Sequence, residues 1–389
     1  MKDIDTLVIG GGSIKTIASL GALSVLHEKG ILENINKYAG SSAGAVIITL
    51  LVLGYTHNEI NELIFSKIGS YVTEPFYKIP INMIYNYGIY TGNNMVTFLE
   101  GFFEKKGFKK NITFKELYEI IPKVLVITGT SLTSCDTLFF NYQTTPNMSV
   151  IKALRISISI PLYFTSVKYL HKGKYHQMCD GALLYNFPLY YFNHIKKDNQ
   201  QEDITNINKS VIKLSKVNEN IKLAKVSENE NEYILYDSFN ELYKNKIQTS
   251  KRFKDPIKSK FVKDPIQNND HNTKSRNIIG IMLLEEDENR DTENFYTGFK
   301  IITNLKEYII SFIETMWKKI EHDNFINPLT GTKNNFFNDT ITIKTPSNIN
   351  AIKFNLTVSE NKMLYDLGIK AANEFFESDL NQIKLSKLK

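Results

Sequence analysis

Residues 5–44 read DTLVIGGGSIKTIASLGALSVLHEKGILENINKYAGSSAG, and this stretch decides the fold. A β-rich run at 5–9 is followed by a glycine turn and then by apolar residues at helical spacing up to Gly30, a predicted C′ glycine. A second short strand around residues 38–39 leads through another glycine turn into an apolar helix. The order strand, turn, helix, strand, turn, helix predicts two βα units in tandem, and therefore an α/β protein with a mostly parallel sheet.

Later segments extend this architecture. The Thr113 to Glu116 spacing is that of a capping box, which marks the start of a helix. The dipeptide Lys172-Gly173 separates two β-rich runs and predicts a hairpin turn. Strands are predicted at 124–130, 138–142, 163–170, 175–178, 277–284 and 340–344, and helices at 113–121, 148–157 and 359–376. Residues 295–320 form a long amphipathic segment.

Composition divides the chain into three parts. Residues 1–197 carry the ordered motifs, whereas residues 198–276 are rich in Lys, Asn, Asp, Glu and Ser with little periodicity. Such a composition predicts a polar insertion that is flexible or loosely folded. Regular patterns return at 277–389, which we expect to complete the same domain as residues 1–197.

Charge and cysteine content bear on location. The 389 residues carry a net charge of +6 and two cysteines, Cys135 and Cys179, too few for a disulfide framework. The N-terminus has no signal-peptide pattern, and the longest apolar run, residues 43–53, is far shorter than the ~20 residues of a membrane span. We therefore expect a cytoplasmic protein, with room for peripheral membrane contact.

A basic segment at 244–263 offers such a contact. It has eight basic residues against the single acid Asp255, with Phe253 and Phe261 interleaved. The segment can dock on anionic lipid, touch nucleic acid without specificity, or remain a solvated loop. We expect no specific nucleic-acid partner, and the sequence does not determine the oligomeric state. The basic residues are Lys244, Lys246, Lys251, Arg252, Lys254, Lys258, Lys260 and Lys263.

The pattern Gly40-x-Ser42-x-Gly44 is typical of a nucleophile elbow. A serine between two glycines at a strand-to-helix turn is pushed outward, and the following helix aims its first amides at the same place. Ser42 is therefore a candidate nucleophile. The alternative is a glycine-rich helix start with a capping serine.

The turn Gly11-Gly12-Ser13 exposes successive backbone amides, which can hold a phosphate or an oxyanion. A dinucleotide fingerprint would need glycine at the sixth place from Gly10, where Lys15 stands. A turn that only lets helix and strand pack closely is the other alternative.

Asp180-Gly181 follows the predicted hairpin. A serine hydroxyl needs a base to become nucleophilic, and a buried aspartate of raised pKa can supply one. Taken alone, Asp-Gly is also an ordinary hairpin dipeptide.

Together these three elements resemble the patatin-like phospholipase family in residues, order and separation. The resemblance covers roughly residues 6–188, and the last predicted helix shows a weaker similarity to the family. The family's first motif usually has glycine where Ser13 and Thr16 stand. The matching residues are Gly11, Gly12, Ser13 and Lys15 in the oxyanion motif, Gly40, Ser42 and Gly44 in the elbow, Arg155, Ser157 and Pro161 in a further signature, and Asp180 and Gly181 in the aspartate motif.

The resemblance implies a three-layer α/β/α fold and a Ser42–Asp180 dyad that works without histidine. It further implies a phospholipase A-type serine esterase that cleaves fatty-acyl esters through a Ser42 acyl-enzyme. Gly11, Gly12 and Ser13 would supply the oxyanion donors, and neither calcium nor another cofactor would be needed. The expected partner is a lipid or membrane-surface substrate.

Several alternatives stay open at this point. A silent lipid-binding or regulatory protein on the same fold, and a nucleotide-binding protein using the first glycine turn, belong to other classes. An α/β-hydrolase triad would draw its histidine from His194, His271 or His322. The set His171, His176 and Cys179 invites a metal interpretation, but no fourth ligand is visible and a surface hairpin is favoured. Residues 71–90, rich in aromatic and aliphatic side chains, are expected to form the mouth or lid of an acyl site or to pack as a loop on the core.

Overall fold

The computed structural model of the protein describes residues 4–72, 79–189, 191–192, 277–286, 339–350 and 353–386. All of them belong to the unit formed by Met1–Lys197 and Ser275–Lys389. The predicted polar insertion at 198–276, its basic segment and the amphipathic segment at 295–320 lie outside the described residues. The three-part division of the chain therefore stays a prediction.

The central feature is a mixed, mostly parallel sheet. Its order is β10-β9-β1-β2-β4-β8-β7, with β5 also paired to β4. The five strands from β10 to β4 run parallel, and β5, β8 and β7 add antiparallel pairs at one side. The strands are β1 (Thr6–Ile9), β2 (Lys37–Gly40), β3 (Gly88–Tyr90), β4 (Val124–Ser131), β5 (Asp136–Phe140), β6 (Leu162–Phe164), β7 (Val167–His171), β8 (Lys174–Asp180), β9 (Ile278–Glu286) and β10 (Thr340–Pro346).

The first two helices follow β1 and β2 as the predicted βα units require. The first ends at Glu28 in a Schellman motif, where Gly30 has φ +66° and the Ile31 N–H donates to the Leu26 carbonyl. The helices are α1 (Ile17–Glu28), α2 (Ala43–Val52), α3 (His57–Val72), α4 (Ile79–Asn86), α5 (Asn93–Lys105), α6 (Phe114–Ile120), α7 (Val150–Ser157), α8 (Ala182–Tyr185) and α9 (Val358–Ser386). The α/β class is confirmed.

One predicted strand is wrong. Residues 163–170 do not form a single strand, because β6 pairs with β3 in a separate two-stranded sheet and only β7 joins the central one. The break lies at Thr165, whose N–H donates to the Tyr90 carbonyl at 2.8 Å. Its own carbonyl accepts a hydrogen bond from the Arg155 guanidinium at 2.8 Å. These two contacts take the backbone groups that a continuous strand would use for its ladder.

The sheet buries both of its faces, and side chains alternate between them. In β4, Leu125 and Ile127 point to a large core shared with α1, α2, α5, α7 and α9, whereas Val126 points to a smaller core on the other face. The described residues cover that second face with α8 and residues 187–189 and 191–192, where Phe187 packs beside Val126. The buried runs of β1, β2 and β4 follow from this two-sided burial.

Among the described helices, none is long and apolar enough to cross a membrane. The apolar run noted at 43–53 is α2, which has 10 residues and is largely buried in the core.

Candidate active site

Ser42 lies at the bend between β2 and α2. It has φ +52° and ψ −128°, a backbone conformation that costs a non-glycine residue about 1–3 kcal/mol. Gly44 makes the bend possible, because a Cβ there would collide with the carbonyl oxygens of Ile9 and Gly10. A Cβ at Gly40 would come within 2.9 Å of the Ala45 nitrogen. The two glycines therefore let the elbow pack directly on the end of β1.

The Ser42 hydroxyl donates a hydrogen bond of 2.7 Å to the Oδ2 atom of Asp180. Both side chains are buried, each with 2 % of its surface exposed. Asp180 ends β8, where it is opposite Gly129 of β4, and its N–H donates to the Ser159 carbonyl at 2.8 Å. The sheet thus brings together two residues that are 138 positions apart in the chain.

The protonation of Asp180 is set mainly by burial. Removal from water raises the pKa of this carboxyl from 3.8 to about 7, while hydrogen bonds from Ser42 and from the Ala182 N–H oppose the shift. The Ala182 N–H donates to Oδ1 at 2.8 Å, which leaves Oδ2 directed at Ser42. A carboxylate with this pKa is suited to accept a proton at neutral pH.

Ser157, the last residue of α7, accepts hydrogen bonds from the backbone at the nucleophile and from the backbone next to the base. Its hydroxyl oxygen accepts a hydrogen bond of 2.9 Å from the Ser42 N–H. Its carbonyl accepts one of 3.2 Å from the Gly181 N–H. Gly181 is itself required by space, because a Cβ there would collide with Thr128. One residue thus fixes the backbone at Ser42 and at Gly181, the residue after Asp180.

Arg155 binds the residues around the end of α7. Its buried guanidinium donates to the Ser159 hydroxyl and to the carbonyls of Thr91 and Thr165, the last at 2.8 Å. It therefore holds the end of α7 against the β3 and β6 segments. Pro161 lies half-buried just after this turn.

The first glycine turn lies beside Ser42. A Cβ on Gly11 would be 2.9 Å from the Ser42 Cβ, so only glycine lets the turn approach this closely. The Gly11 N–H already donates to the Oδ1 atom of Asn186 at 2.7 Å. Asn186 is 3 % exposed, and its amide nitrogen is also 3.5 Å from the Gly11 carbonyl.

Sequence reasoning missed Asn186. Nothing in the isolated sequence singles it out, because an asparagine six residues after Asp180 has no pattern of its own. The single turn of α8 carries the chain back from the aspartate to the glycine turn, and this return places the Asn186 amide against Gly11.

The next two amides of the turn are available. Within the described residues, the N–H groups of Gly12 and Ser13 have no hydrogen-bond acceptor. Ser13 has φ +50°, a left-handed conformation that glycine adopts at less cost. Lys15 follows in the short 3-10 turn Ser13–Thr16, with its side chain buried. The turn thus has two adjacent N–H donors without an acceptor, directly after the glycine that lies against Ser42.

An apolar cavity opens at Ser42 and the glycine turn and reaches between α1, α2, α3 and α5. Its empty space is about 690 Å³, counting the part open to solvent. No described residue between 71 and 90 lines it. Instead Tyr71 stacks on Phe98 and Tyr90 contacts Tyr163. The lining consists of Ser13, Ile14, Thr16, Ile17, Leu20, Ser42, Ala43, Val46, Ile47, Ile64, Ile68, Met95, Phe98, Leu99, Ile158, Ile160, Phe164 and Phe354.

The triad alternative depends on three histidines that follow Asp180 in the sequence. His194, His271 and His322 lie outside the described residues. Within the described ranges no histidine contacts Ser42 or Asp180. His171 and His176 face each other across the β7–β8 hairpin with ring centroids 6.0 Å apart, and Cys179 is buried further along β8. No metal-binding group of three side chains is found in the described part of the chain.

Comparison with solved structures gives distant likenesses. VipD from Legionella pneumophila superposes with a TM-score of 0.44 at 15% identity, over 97% of this chain and 67% of that chain. ExoU from the type III secretion system of Pseudomonas aeruginosa, solved with SpcU, gives a TM-score of 0.30 at 23% identity, over 41% of this chain and 39% of that chain. At these scores neither likeness bears on the site.

Comparison of sequences is more specific. A probable lipid hydrolase, 463L, of Invertebrate iridescent virus 6 is 31% identical over 194 residues, covering 48% of this chain and 63% of that protein. The uncharacterized protein YqhO of Bacillus subtilis is 31% identical over 201 residues, and the match covers 49% of this chain and 67% of YqhO. The family model described as patatin-like phospholipase matches residues 7–193, the part that holds the elbow, the glycine turn and Asp180. The chain therefore belongs to the patatin-like phospholipase family.

Proposed function

We propose that the protein is a lipid acyl hydrolase, a serine esterase of the phospholipase A type that releases fatty acids from lipid esters. The observation that carries the proposal is the 2.7 Å contact between the Ser42 hydroxyl and the Asp180 carboxylate at the mouth of an apolar cavity. Family membership and the probable lipid hydrolase among its relatives support the same chemistry.

In this scheme, Ser42 Oγ attacks the acyl carbonyl carbon while Asp180 Oδ2 accepts the hydroxyl proton. The tetrahedral oxyanion accepts hydrogen bonds from the Gly12 and Ser13 amides, since Asn186 already occupies the Gly11 amide. Asp180 then returns the proton to the leaving alkoxide, which departs as an alcohol and leaves the acyl-enzyme.

Water completes the cycle. The oxygen of a water molecule attacks the carbonyl carbon of the acyl-enzyme while Asp180 takes a proton from that water. Asp180 then passes the proton to Ser42 Oγ as the fatty acid leaves. The hydrogen bond from the Ser42 N–H to the Ser157 hydroxyl oxygen holds the nucleophile in place throughout. No step calls for a cofactor.

The cavity supports a fatty acyl chain as the bound part of the substrate. Apart from Ser13, Thr16 and Ser42, its lining side chains are aliphatic or aromatic or belong to Met95. Such walls offer an alkyl chain about 0.8 kcal/mol for each CH₂ group removed from water. The lipid headgroup would remain outside the described cavity.

Covalent labelling with a fluorophosphonate tests the proposal. We expect wild-type protein to be labelled and to release fatty acid from phospholipid, and Ser42→Ala to lose both. Ser41→Ala is the matched control, because Ser41 is also buried but its hydroxyl has no partner among the described residues. Labelling that persists in Ser42→Ala, or a folded wild type that neither labels nor releases fatty acid, contradicts the proposal. The second outcome would favour a silent lipid-binding protein.

A further inference from the structure

The β7–β8 hairpin projects from the edge of the sheet that holds the active site. The last residue of β2, Gly40, is opposite Ile127 of β4, whereas Asp180 of β8 is opposite Gly129. Because β8 runs antiparallel to β4, residues before Asp180 lie progressively further beyond this edge. Six residues separate Asp180 from Lys174, which corresponds to about 20 Å of extended strand.

The hairpin exposes large apolar side chains to water near its tip, where burying them would be favourable. Leu170 and Tyr175 are cross-strand partners, and they are 52% and 61% exposed. The Lys168 ammonium lies 4.3 Å from the centre of the Tyr175 ring on the same side. Exposed leucine and tyrosine beside lysine are the side chains that favour a membrane–water interface.

The charge of the hairpin has one sign. No Asp or Glu occurs between Asp136 and Asp180, and Lys172 and Lys174 form the exposed turn. Within the described residues, neither lysine has a carboxylate within ion-pair distance. An anionic bilayer attracts each such lysine by about 1 kcal/mol.

We propose that the β7–β8 hairpin docks the protein on the surface of a bilayer that contains acidic lipids, with Leu170 and Tyr175 in the interface and Lys172 and Lys174 among the headgroups. This inference rests on the proposed function, since it gives the lipid hydrolase its route to substrate. It is independent of the basic segment at 244–263. A surface that recognised only polyanions, such as RNA, would have no use for the exposed Leu170.

Vesicle sedimentation tests the docking surface. All variants are made in the Ser42→Ala background, so that hydrolysis cannot alter the vesicles. Phosphatidylcholine vesicles with and without phosphatidylserine serve as the probe. We expect binding to the phosphatidylserine vesicles that weakens with added salt, and a loss of about tenfold for either Leu170→Ser or Lys172→Glu.

Matched controls lie at the opposite edge of the sheet. Ile120, at the end of α6 before β4 begins, is 62% exposed, and Lys29 follows the end of α1. Ile120→Ser and Lys29→Glu make the same chemical changes there and should bind as the parent does. All four sites are exposed, and circular dichroism checks that each variant is folded.

Three results would overturn the proposal: no binding of the parent to phosphatidylserine vesicles, equal losses in the hairpin and control variants, or a loss for Lys172→Glu with none for Leu170→Ser. The last would indicate a general polyanion site. Fluorophosphonate labelling of Ser42 needs no vesicles, and vesicle binding needs no hydroxyl at position 42. Failure of the docking surface and failure of the hydrolase proposal are therefore distinguishable.

Discussion

Burial of Asp180 has two consequences that oppose each other. The raised pKa, about 7, leaves the carboxyl able to accept the Ser42 proton near neutral pH. The same burial destabilises the fold at that pH, because an ionised carboxylate prefers water. The unfolded chain ionises near 3.8 and the folded one near 7. The contribution of this carboxyl to the free energy of unfolding is therefore complete below pH ~4, and it is lost as the pH rises through ~7.

We predict that kcat/KM of the wild-type protein rises with pH along a limb whose apparent pKa is about 7, because Asp180 must be ionised to act as base. Asp180→Asn should abolish turnover. It should also stabilise the folded protein at pH 8, relative to wild type, by on the order of 2–4 kcal/mol, because the amide carries no charge to desolvate. pH–rate profiles and urea unfolding measure the two effects.

The comparison at pH 4 is the internal control. There wild-type Asp180 is neutral in the folded state, so the two proteins should unfold at closely similar urea concentrations. Undiminished turnover in Asp180→Asn, or the same stability difference at pH 4 and pH 8, would remove Asp180 from this role.

Single residues of the site differ in how far the sequence reveals them. Ser42 lies in a glycine pattern that enforces its own geometry, since Gly44 must be small for the bend to pack. Asn186 has no such local signature, and its role at Gly11 exists only because α8 turns the chain back. The sequence shows only that Ser13 stands where glycine is usual. The structure adds that its backbone is left-handed, with φ +50°, a conformation that costs free energy in any residue with a Cβ atom.

At the scale of elements, the crossing of α1 with α9 depends on two glycines. A Cβ on Gly21 would collide with the Tyr365 carbonyl, and one on Gly368 would collide with the Ala18 carbonyl. These are backbone contacts, which cannot rotate out of the way as a side chain would. The last helix therefore packs on the first at the distance that only glycine permits.

We predict that Gly21→Ala destabilises the protein by about 1–3 kcal/mol in urea unfolding, because overpacking against backbone outweighs the better helix propensity of alanine. The control is Gly101→Ala in α5, where the added methyl group meets nothing within 4 Å. That variant should gain about 1 kcal/mol. A Gly21→Ala protein as stable as Gly101→Ala would contradict the close crossing.

The whole molecule joins parts of the chain that are far apart in sequence. β9 lies between β1 and β10, and α9 packs on α1, so the region after 277 completes the sheet begun by the first nine residues. Residues 198–276, by their composition, are proposed to be a polar insertion into this domain.

Limited proteolysis tests that organisation. We predict that trypsin, which cuts after lysine and arginine, cleaves first within residues 198–276. The two products should then co-elute in gel filtration, because β9 is hydrogen-bonded on both sides and α9 remains packed on α1. Intact protein treated with inactivated trypsin is the control. Dissociation of the fragments, or first cuts in the residue 1–197 region, would count against a single interrupted domain.

The sequence by itself determined the local features: the α/β class, the end of α1 before Gly30, the capping box of α6 and the family motifs around Ser42 and Asp180. Each depends on residues close in the chain, whose spacing and size restrict the backbone directly. Tertiary structure alone decided the 2.7 Å contact between Ser42 and Asp180, the use of Asn186 at Gly11, the split of β6 from β7 and the raised pKa of Asp180. These depend on which distant segments become neighbours and on how much water they exclude, and no local pattern encodes either quantity.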